Sequence, residues 1–139
     1  MHRFMITLVQ YDEQEGKQRA IKRCHYGRVK GGVPSIALKE LQILSTLSFS
    51  PHVVTLYDTF IHKGRLHMVL DYAPCTLQEV LDSGKHLTFE FIKIVFRQIL
   101  YALKDCHENG VLHRVSDSDY CFKSGLFTSR FYFLSILRI

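Results

Sequence analysis

The order of the predicted elements, two strands, a helix, two strands and then helices, places this chain in the α+β class. Short apolar or alternating runs at residues 4–10 and 18–24 flank a polar, turn-like segment and predict a β-hairpin. A second strand pair is predicted at residues 53–60 and 65–72. We therefore expect a small sheet, one helix packed on it, and a helical region that begins after residue 73.

Three segments carry helix signals. The first helix opens at Pro34-Ser35, and its apolar residues recur at helical spacing, at Ala37, Leu41, Leu44 and Leu47. Thr76 is the predicted N-cap of a short helix through Leu81, and Thr88 is that of a longer helix through about His107. The longer helix is predicted to end at Asn109-Gly110. One apolar stripe runs along it, formed by Ile92, Val95, Phe96, Ile99, Leu103 and Cys106.

The composition of the 139 residues, 47% hydrophobic and 22% charged, is that of a globular protein with one domain or part of one. The formal net charge is +5, but the basic residues are spread without a run of five or more, which argues against nucleic-acid binding. The four cysteines lie far apart without a C-x-x-C pair, which indicates reduced thiols and no zinc site.

Neither end of the chain predicts export or membrane insertion. The apolar stretch within residues 1–10 is too brief for a signal-peptide core. The apolar segment 122–139 is interrupted by Lys123, Arg130 and Arg138, so it falls short of a bilayer span. We expect a protein of the cytoplasm, the nucleus or both, with no membrane partner.

A lysine and a glutamate stand out by their spacing. Ala20-Ile21-Lys22 ends a predicted strand, and Glu40 follows eighteen residues after Lys22 on the predicted helix. This arrangement resembles that of protein kinases, in which a strand lysine holds the α- and β-phosphates of ATP and a helix glutamate holds the lysine through an ion pair. A lysine at a strand end is by itself more often a solvated charge, so the neighbouring segments decide.

The segment from Gly32 to Glu40 resembles the PSTAIRE-type helix of cyclin-dependent kinases, in which the same Gly-Val-Pro-Ser opening leads to the pairing glutamate. Lys39 stands where that family carries an arginine that grips the activation-loop phosphate, and a lysine can meet a phosphate only as a point charge. The resemblance implies a cyclin-like protein partner. The implied cyclin-binding residues are Val33, Pro34, Ser35, Ile36 and Lys39.

The segment from Leu66 to Ala73 resembles the last small-lobe strand and the hinge of these kinases. The resemblance implies that Leu70 is the gatekeeper and that the backbone of Asp71 and of Ala73 faces the adenine edge. Ala20 would pack on the adenine face. These residues join the lysine and the glutamate in the implied ATP site.

Residues 88–114 resemble the long large-lobe helix and the strand into the catalytic loop, so the resemblance covers residues 5–114 in all. It implies a protein-kinase-like small lobe, an antiparallel sheet plus the αC helix, followed by the first helices of the large lobe. This is an incomplete kinase fold. We expect a partial small lobe without the Gly-rich loop at 1–73, the start of a helical large lobe at 74–114, and a non-family tail at 115–139.

The resemblance stops after His113-Arg114, because Val115 replaces the catalytic aspartate that follows in the family. Asp117 is no substitute, since Asp119 and Phe122 stand where its partner lysine and the metal-binding asparagine would be. Neither Asp-Phe-Gly nor Ala-Pro-Glu follows, and no Gly-x-Gly-x-x-Gly loop precedes the first strands. We therefore expect no catalytic residue, no magnesium ligands, and ATP binding that is weak or lost.

Several interpretations stay open. Val115-Ser116 is compatible with translation through an unspliced intron boundary, which would explain the tail. The chain is then an inactive product of a cyclin-dependent kinase gene, or a misassembled version of an active ATP-dependent Ser/Thr kinase with protein substrates. A third interpretation is a non-enzymatic decoy for a cyclin-like protein, and a fourth is an unrelated α+β binding domain. Exposure of the apolar stripe at 92–106 predicts marginal stability or aggregation.

Overall fold

The computed structural model describes residues 6–24, 33, 35–112, 120–123 and 130–133. Two compact units make up the chain. The first contains Met1–Ser45 and Thr55–Tyr72, and the second contains Thr46–Val54 and Ala73–Ile139. Each unit draws on two separate stretches of the chain, because the segment between the first helix and the next strand belongs to the second unit.

The first unit is built on a four-stranded antiparallel sheet whose strands lie in the order β1-β2-β4-β3. Its strands are β1 (Ile6–Asp12), β2 (Lys17–Arg23), β3 (Leu56–His62) and β4 (Arg65–Asp71). Both predicted hairpins are present. In the first turn, Gly16 has a φ of +64°, which glycine adopts without strain, and Oδ1 of Asp12 accepts hydrogen bonds from the backbone N–H groups of Gln14 and Glu15.

Strand β3 begins at Leu56 and not at residue 53 as the sequence predicts. Val53 and Val54 are buried, with 4% and 2% of their surfaces exposed, but neither lies in a β-strand of the sheet. This apolar run therefore reflects burial and not strand pairing. A short apolar run indicates burial, but it does not by itself distinguish a strand from a buried connection.

Helix α1 (Ser35–Thr46) lies between the two hairpins in sequence, as predicted. Ala37 and Leu44 are buried on one side of it, and Leu47 is buried just beyond its end. The spacing of these residues is the i, i+7, i+10 pattern that predicts an amphipathic helix. Burial of this stripe fixes which side of α1 faces the protein.

The second unit contains α2 (Leu77–Asp82), α3 (Phe89–Glu108) and a three-stranded sheet. Both predicted N-caps are present. Thr76 and Glu79 form a reciprocal capping box at the start of α2, and the Thr88 hydroxyl accepts a hydrogen bond from the N–H of Phe91. Helix α3 ends at Glu108 with Asn109 as its C-cap, followed by Gly110 with a φ of +70°.

The sheet of the second unit joins β5 (Cys75–Thr76), β6 (Tyr120–Lys123) and β7 (Arg130–Phe133) in that order, all antiparallel. None of these strands is among the elements that the sequence predicts. A two-residue strand such as β5 is too short to show alternation, and the strands after residue 115 have no resembling segment to guide the prediction.

The apolar stripe of α3 is only partly covered. Val95, Ala102 and Cys106 are buried, whereas Ile92 and Phe96 expose 48% and 60% of their surfaces. Ala102 belongs to the buried side although it is not in the predicted stripe. The exposed part of the stripe is consistent with the predicted tendency to aggregate.

Two side-chain contacts join α3 to residues 50–52 inside the second unit. The Ser50 hydroxyl donates a hydrogen bond of 2.5 Å to Oδ2 of Asp105, and the same hydroxyl accepts from the N–H of His52. The His52 ring stacks on the Tyr101 ring at a centroid distance of 5.3 Å. These contacts hold the segment that follows α1 against the C-terminal half of α3.

The N-cap of α3 is open to test. Thr88→Ala removes the acceptor for the Phe91 N–H, and we expect it to lower the free energy of unfolding by about 1 kcal/mol in urea titrations followed by circular dichroism. Thr88→Ser keeps the hydroxyl and is the matched control, expected close to the wild type. Equal losses from alanine and serine would contradict the capping role.

Candidate functional site

Lys22 lies on β2, an interior strand of the sheet in the first unit, and its side chain is only 8% exposed. Its cross-strand partners are Ile6 on β1 and Met68 on β4. A charged group removed from water in this way has a high free energy unless a negative group lies beside it. The position of Lys22 therefore calls for a buried acid.

Glu40 of α1 is that acid. Nζ of Lys22 donates a hydrogen bond of 2.6 Å to Oε1 of Glu40, whose side chain is 5% exposed. Glu40 lies three residues after Ala37 and four before Leu44, so it shares their buried side of the helix. Packing of these two apolar residues therefore turns the carboxylate towards the lysine.

The Lys22–Glu40 contact is a short, charge-assisted hydrogen bond between two buried groups. Desolvation of both charges offsets most of their attraction, so such a pair adds little net stability, but removal of one partner leaves the other uncompensated. The pair therefore specifies where α1 docks on β2 more than it strengthens the fold.

Apolar residues adjoin the lysine on the same face of the sheet. Side chains alternate along a strand, so Ala20 and Lys22 lie on one face of β2. Leu70 on β4 is the cross-strand partner of Ala20, and both are buried, with 1% and 2% exposure. The structure thus brings together Lys22, Glu40, Ala20 and Leu70, four of the residues that the sequence assigns to an ATP site.

Asp71 is the last residue of β4. Its backbone N–H donates to the carbonyl of Thr55 at 3.2 Å, and its carboxylate accepts from the N–H of Thr55 at 3.2 Å and from the hydroxyl of Tyr57 at 3.0 Å. The carboxylate is buried. Ala73, the other residue implied at the adenine edge, is half-buried and belongs to the second unit.

The predicted cyclin-binding residues lie at the start of α1 and just before it. Ser35 and Lys39 are exposed on the helix, and Val33 is half-buried. Pro34 and the side chain of Ile36 lie outside the described residues. Leu38 adds an apolar side chain, 51% exposed, to the same helix.

Sequence reasoning missed Arg19, whose side chain is 4% exposed. It lies on β2, three residues before Lys22, beside Asp71 on β4 and under the ring of Tyr57. The available signal was an arginine directly before the apolar Ala20-Ile21 of a predicted strand, with Asp71 near the end of another predicted strand. Pattern alone gives no reason to pair them, because β2 and β4 are far apart in sequence.

Cys24 directly follows β2 and is buried. Burial raises the pKa of its thiol from 9.0 to about 11, the Glu40 carboxylate acts in the same direction, and the Lys22 ammonium opposes it. At neutral pH this thiol is therefore protonated and unreactive. The titration of the Cys24 thiol therefore reports on the buried environment beside the Lys22–Glu40 pair.

Metal clusters and membrane spans are both absent from the part of the chain that the structure describes. No group of three or more histidine, cysteine, aspartate or glutamate side chains there is placed to hold a metal ion. Likewise, none of the described helices has the length and hydropathy needed to cross a membrane.

Comparison with known proteins then assigns the family. The model of the protein kinase domain matches residues 7–115, which is most of the chain. The chain belongs to the protein kinase family. The prediction of a kinase-like small lobe, with an antiparallel sheet and one helix, is confirmed.

The relatives of this protein kinase chain include cyclin-dependent kinases. It is 36% identical over 104 residues to Cyclin-dependent kinase D-1 of Arabidopsis thaliana, which covers 74% of this chain and 26% of that protein. It is 31% identical over 102 residues to Cyclin-dependent kinase 20 of Danio rerio, covering 73% of this chain and 30% of that one. These similarities confirm the predicted likeness to cyclin-dependent Ser/Thr kinases.

Similarity extends beyond that branch. NUAK family SNF1-like kinase 1 of Mus musculus is 30% identical over 101 residues, which is 71% of this chain and 15% of that protein. The chain spans less than a third of the length of these three relatives.

The Lys22–Glu40 pair predicts a specific pattern of stabilities. We expect Lys22→Met to lower the free energy of unfolding by about 3 kcal/mol or more, because Glu40 is left buried without its cation. The double variant Lys22→Met/Glu40→Leu is expected to regain most of this loss. Urea titration of both, with the exposed Lys63→Met as control, measures the coupling. A double variant as unstable as the single one would contradict the expectation.

Cys24 predicts a pH dependence. The folded chain keeps this thiol protonated to about pH 11, whereas the unfolded thiol titrates near 9.0, so ionisation favours the unfolded state between these values. The contribution of the protonated Cys24 thiol to the free energy of unfolding is constant below pH 9.0 and is lost as the pH rises towards 11. Over this range the free energy of unfolding falls by at most about 1.4 kcal/mol per pH unit. The measurement is urea unfolding on either side of pH 9.0, with Cys24→Ala as the reference. Identical pH profiles for wild type and Cys24→Ala would rule this out.

Proposed function

We propose that this kinase-family chain binds ATP only weakly through the first unit and, in the form given by its sequence, does not transfer phosphate. The observation that carries the proposal is the buried hydrogen bond of 2.6 Å between Lys22 and Glu40. In protein kinases this pair has to be in place for the lysine to hold the α- and β-phosphates of ATP. In this chain the lysine and the glutamate form that pair.

The residues around the Lys22–Glu40 pair support a nucleotide site. Ala20 and Leu70 form an apolar cross-strand pair next to Lys22, and nucleotide sites are mostly apolar with a few well-placed polar groups. The base would lie against this pair, and the phosphates would meet the ammonium group. The backbone at Asp71 would supply hydrogen bonding to the adenine edge.

The inactivity of this form follows from residue chemistry. Val115 stands at the position of the catalytic aspartate, and Tyr120, five residues later, stands at that of the asparagine that binds the second magnesium ion. A valine side chain has no group to accept the proton of a substrate hydroxyl. The donor set therefore does not fit magnesium, and no phosphoryl-transfer step is assigned to this chain.

Titration of the full chain with a fluorescent ATP analogue tests nucleotide binding. We expect saturable binding by the wild type and at least about tenfold weaker binding by Lys22→Arg, which keeps the charge but presents a planar, forked group in place of a compact ammonium. Lys63→Met, exposed in the turn between β3 and β4, is the matched control and should bind like the wild type. No binding by the wild type would refute the proposal.

Phosphate transfer is measured separately. With radiolabelled ATP and a generic basic protein substrate, we expect no label on the substrate above that seen with Lys22→Arg. Label transfer that depends on Lys22 would contradict the proposed inactivity. Sequencing of the gene beyond the codon for Arg114 would then show whether an Asp-Leu-Lys exon follows, which would make the active Ser/Thr kinase with protein substrates the product.

A second candidate function is capture of a cyclin-like protein by α1, without catalysis. The observation that favours it is the half-exposed Leu38 next to the exposed Lys39 on a helix that resembles the cyclin-binding helix. The exposed Leu38 side chain gives this helix an apolar contact that a partner protein could cover. A cyclin complex would also place the chain in the nucleus or cytoplasm.

A pull-down with a cyclin tests this candidate. Leu38→Glu is expected to abolish retention, since it puts a charge in the centre of the apolar contact. Leu81→Glu on α2 makes the same change at a side chain of nearly equal exposure, 50% against 51%, and should leave retention unchanged. Equal retention of both variants would exclude docking through α1.

A further inference from the structure

Arg19 carries a second buried charge on β2, on the face opposite Lys22, because side chains alternate along a strand. The kinase strand motif has a valine three residues before its lysine, and this chain has an arginine at that position. Replacing a small apolar group by a buried cation costs free energy unless the cation gains partners. The structure shows those partners.

Three carboxylates surround the guanidinium. Nη2 of Arg19 donates to Oε2 of Glu15 at 2.5 Å, in the β1–β2 turn, and Nε lies 3.6 Å from Oδ2 of Asp12, the last residue of β1. Nη1 lies 3.7 Å from Oδ1 of Asp71, at the end of β4. The cation therefore joins the turn of one hairpin to the last residue of the other.

Tyr57 covers the same group from β3. The centre of the guanidinium lies 3.4 Å from the centroid of the Tyr57 ring, a cation–π contact, and the ring hydroxyl donates to Asp71. Leu56 pairs with Leu70 and Asp58 with Val69, so Tyr57 is the extra residue of a β-bulge. Leu56 lies on the face of Ala20 and Lys22, so the alternation of side chains places Tyr57 on the face of Arg19.

Tyr57 stays a donor at neutral pH. Burial, with the nearby Asp71 carboxylate, raises the pKa of its hydroxyl. Asp71 thus receives hydrogen bonds from the Tyr57 hydroxyl and the Thr55 N–H besides the charge of Arg19. Its carboxylate is fixed from three directions.

We propose that Arg19 is a positioning residue that fixes the end of β4 through Asp71. This inference rests on the proposed function, in which the backbone at Asp71 meets the adenine edge. It adds that the charged and aromatic side chains around Arg19 hold this backbone from the other face of the sheet. Arg19 lies on the other face of the sheet and contacts no nucleotide. It acts by holding the strand end in register while the base binds.

The test measures hydrogen exchange of backbone amides in the full chain by NMR. Arg19→Val restores the motif valine, and we expect it to speed exchange at Asp71 and Thr55 by about tenfold, the effect of losing one buried, charge-assisted partner. The amide of Cys24, which donates to Leu66 further along the same strands, should keep its rate. Uniform acceleration at all three amides would mean a general loss of stability and would overturn the proposal.

Arg23→Val is the matched control, since Arg23 lies on the same strand and face, four residues from Arg19, and pairs with His67 away from Asp71. It should leave exchange at Asp71 and Thr55 unchanged. Tyr57→Phe, which keeps the ring and removes only the hydroxyl bond, should speed both amides by about threefold. If Arg19→Val does not fold, unchanged rates in Tyr57→Phe and Arg19→Lys overturn the proposal.

Nucleotide titration of the same variants separates this inference from the proposed function. Arg19→Val should bind the ATP analogue about tenfold more weakly than Arg23→Val, because the strand end is no longer held. Faster exchange with unchanged affinity would overturn the role in binding. If the wild type binds no nucleotide, the proposed function fails, while the exchange rates still decide whether Arg19 fixes β4.

Discussion

The ion pair between Lys22 and Glu40 joins an interior strand of the sheet to the helix that follows it in sequence. Both groups are buried, so neither can exist charged at low free energy without the other. The packing of Ala37 and Leu44 places Glu40 on the buried side of α1, and the ion pair holds that side against β2. The same contact holds a lysine ammonium beside an apolar sheet face.

Strand β2 carries buried charges on both faces. Lys22 is neutralised by one carboxylate from a helix, and Arg19 by carboxylates from a turn and a neighbouring strand. The two solutions differ because of side-chain geometry. A compact ammonium interacts as a point charge, whereas the planar guanidinium can face several acceptors and an aromatic ring at once. Arg19 is therefore suited to join separate strands.

The chain contains the Lys22–Glu40 pair, but its sequence departs from the kinase motif after His113-Arg114. The family match extends to residue 115, where valine replaces the aspartate of the kinase motif. Binding and catalysis depend on different residues in this family, so loss of the second does not require loss of the first. The proposed function, nucleotide binding without phosphate transfer, follows from this separation.

Local signals in the sequence determined the hairpins, the three helices and both threonine caps, because turn residues, apolar periodicity and N-cap hydroxyls act within a few residues of one another. The Lys22–Glu40 pair could be predicted because a known family spacing links them. The sequence pattern predicts the start of β3 too early, because Val53 and Val54 are buried but do not belong to the strand. Only the tertiary structure placed Arg19 beside Asp71 and under Tyr57, because their strands become neighbours through sheet order, which no local pattern records.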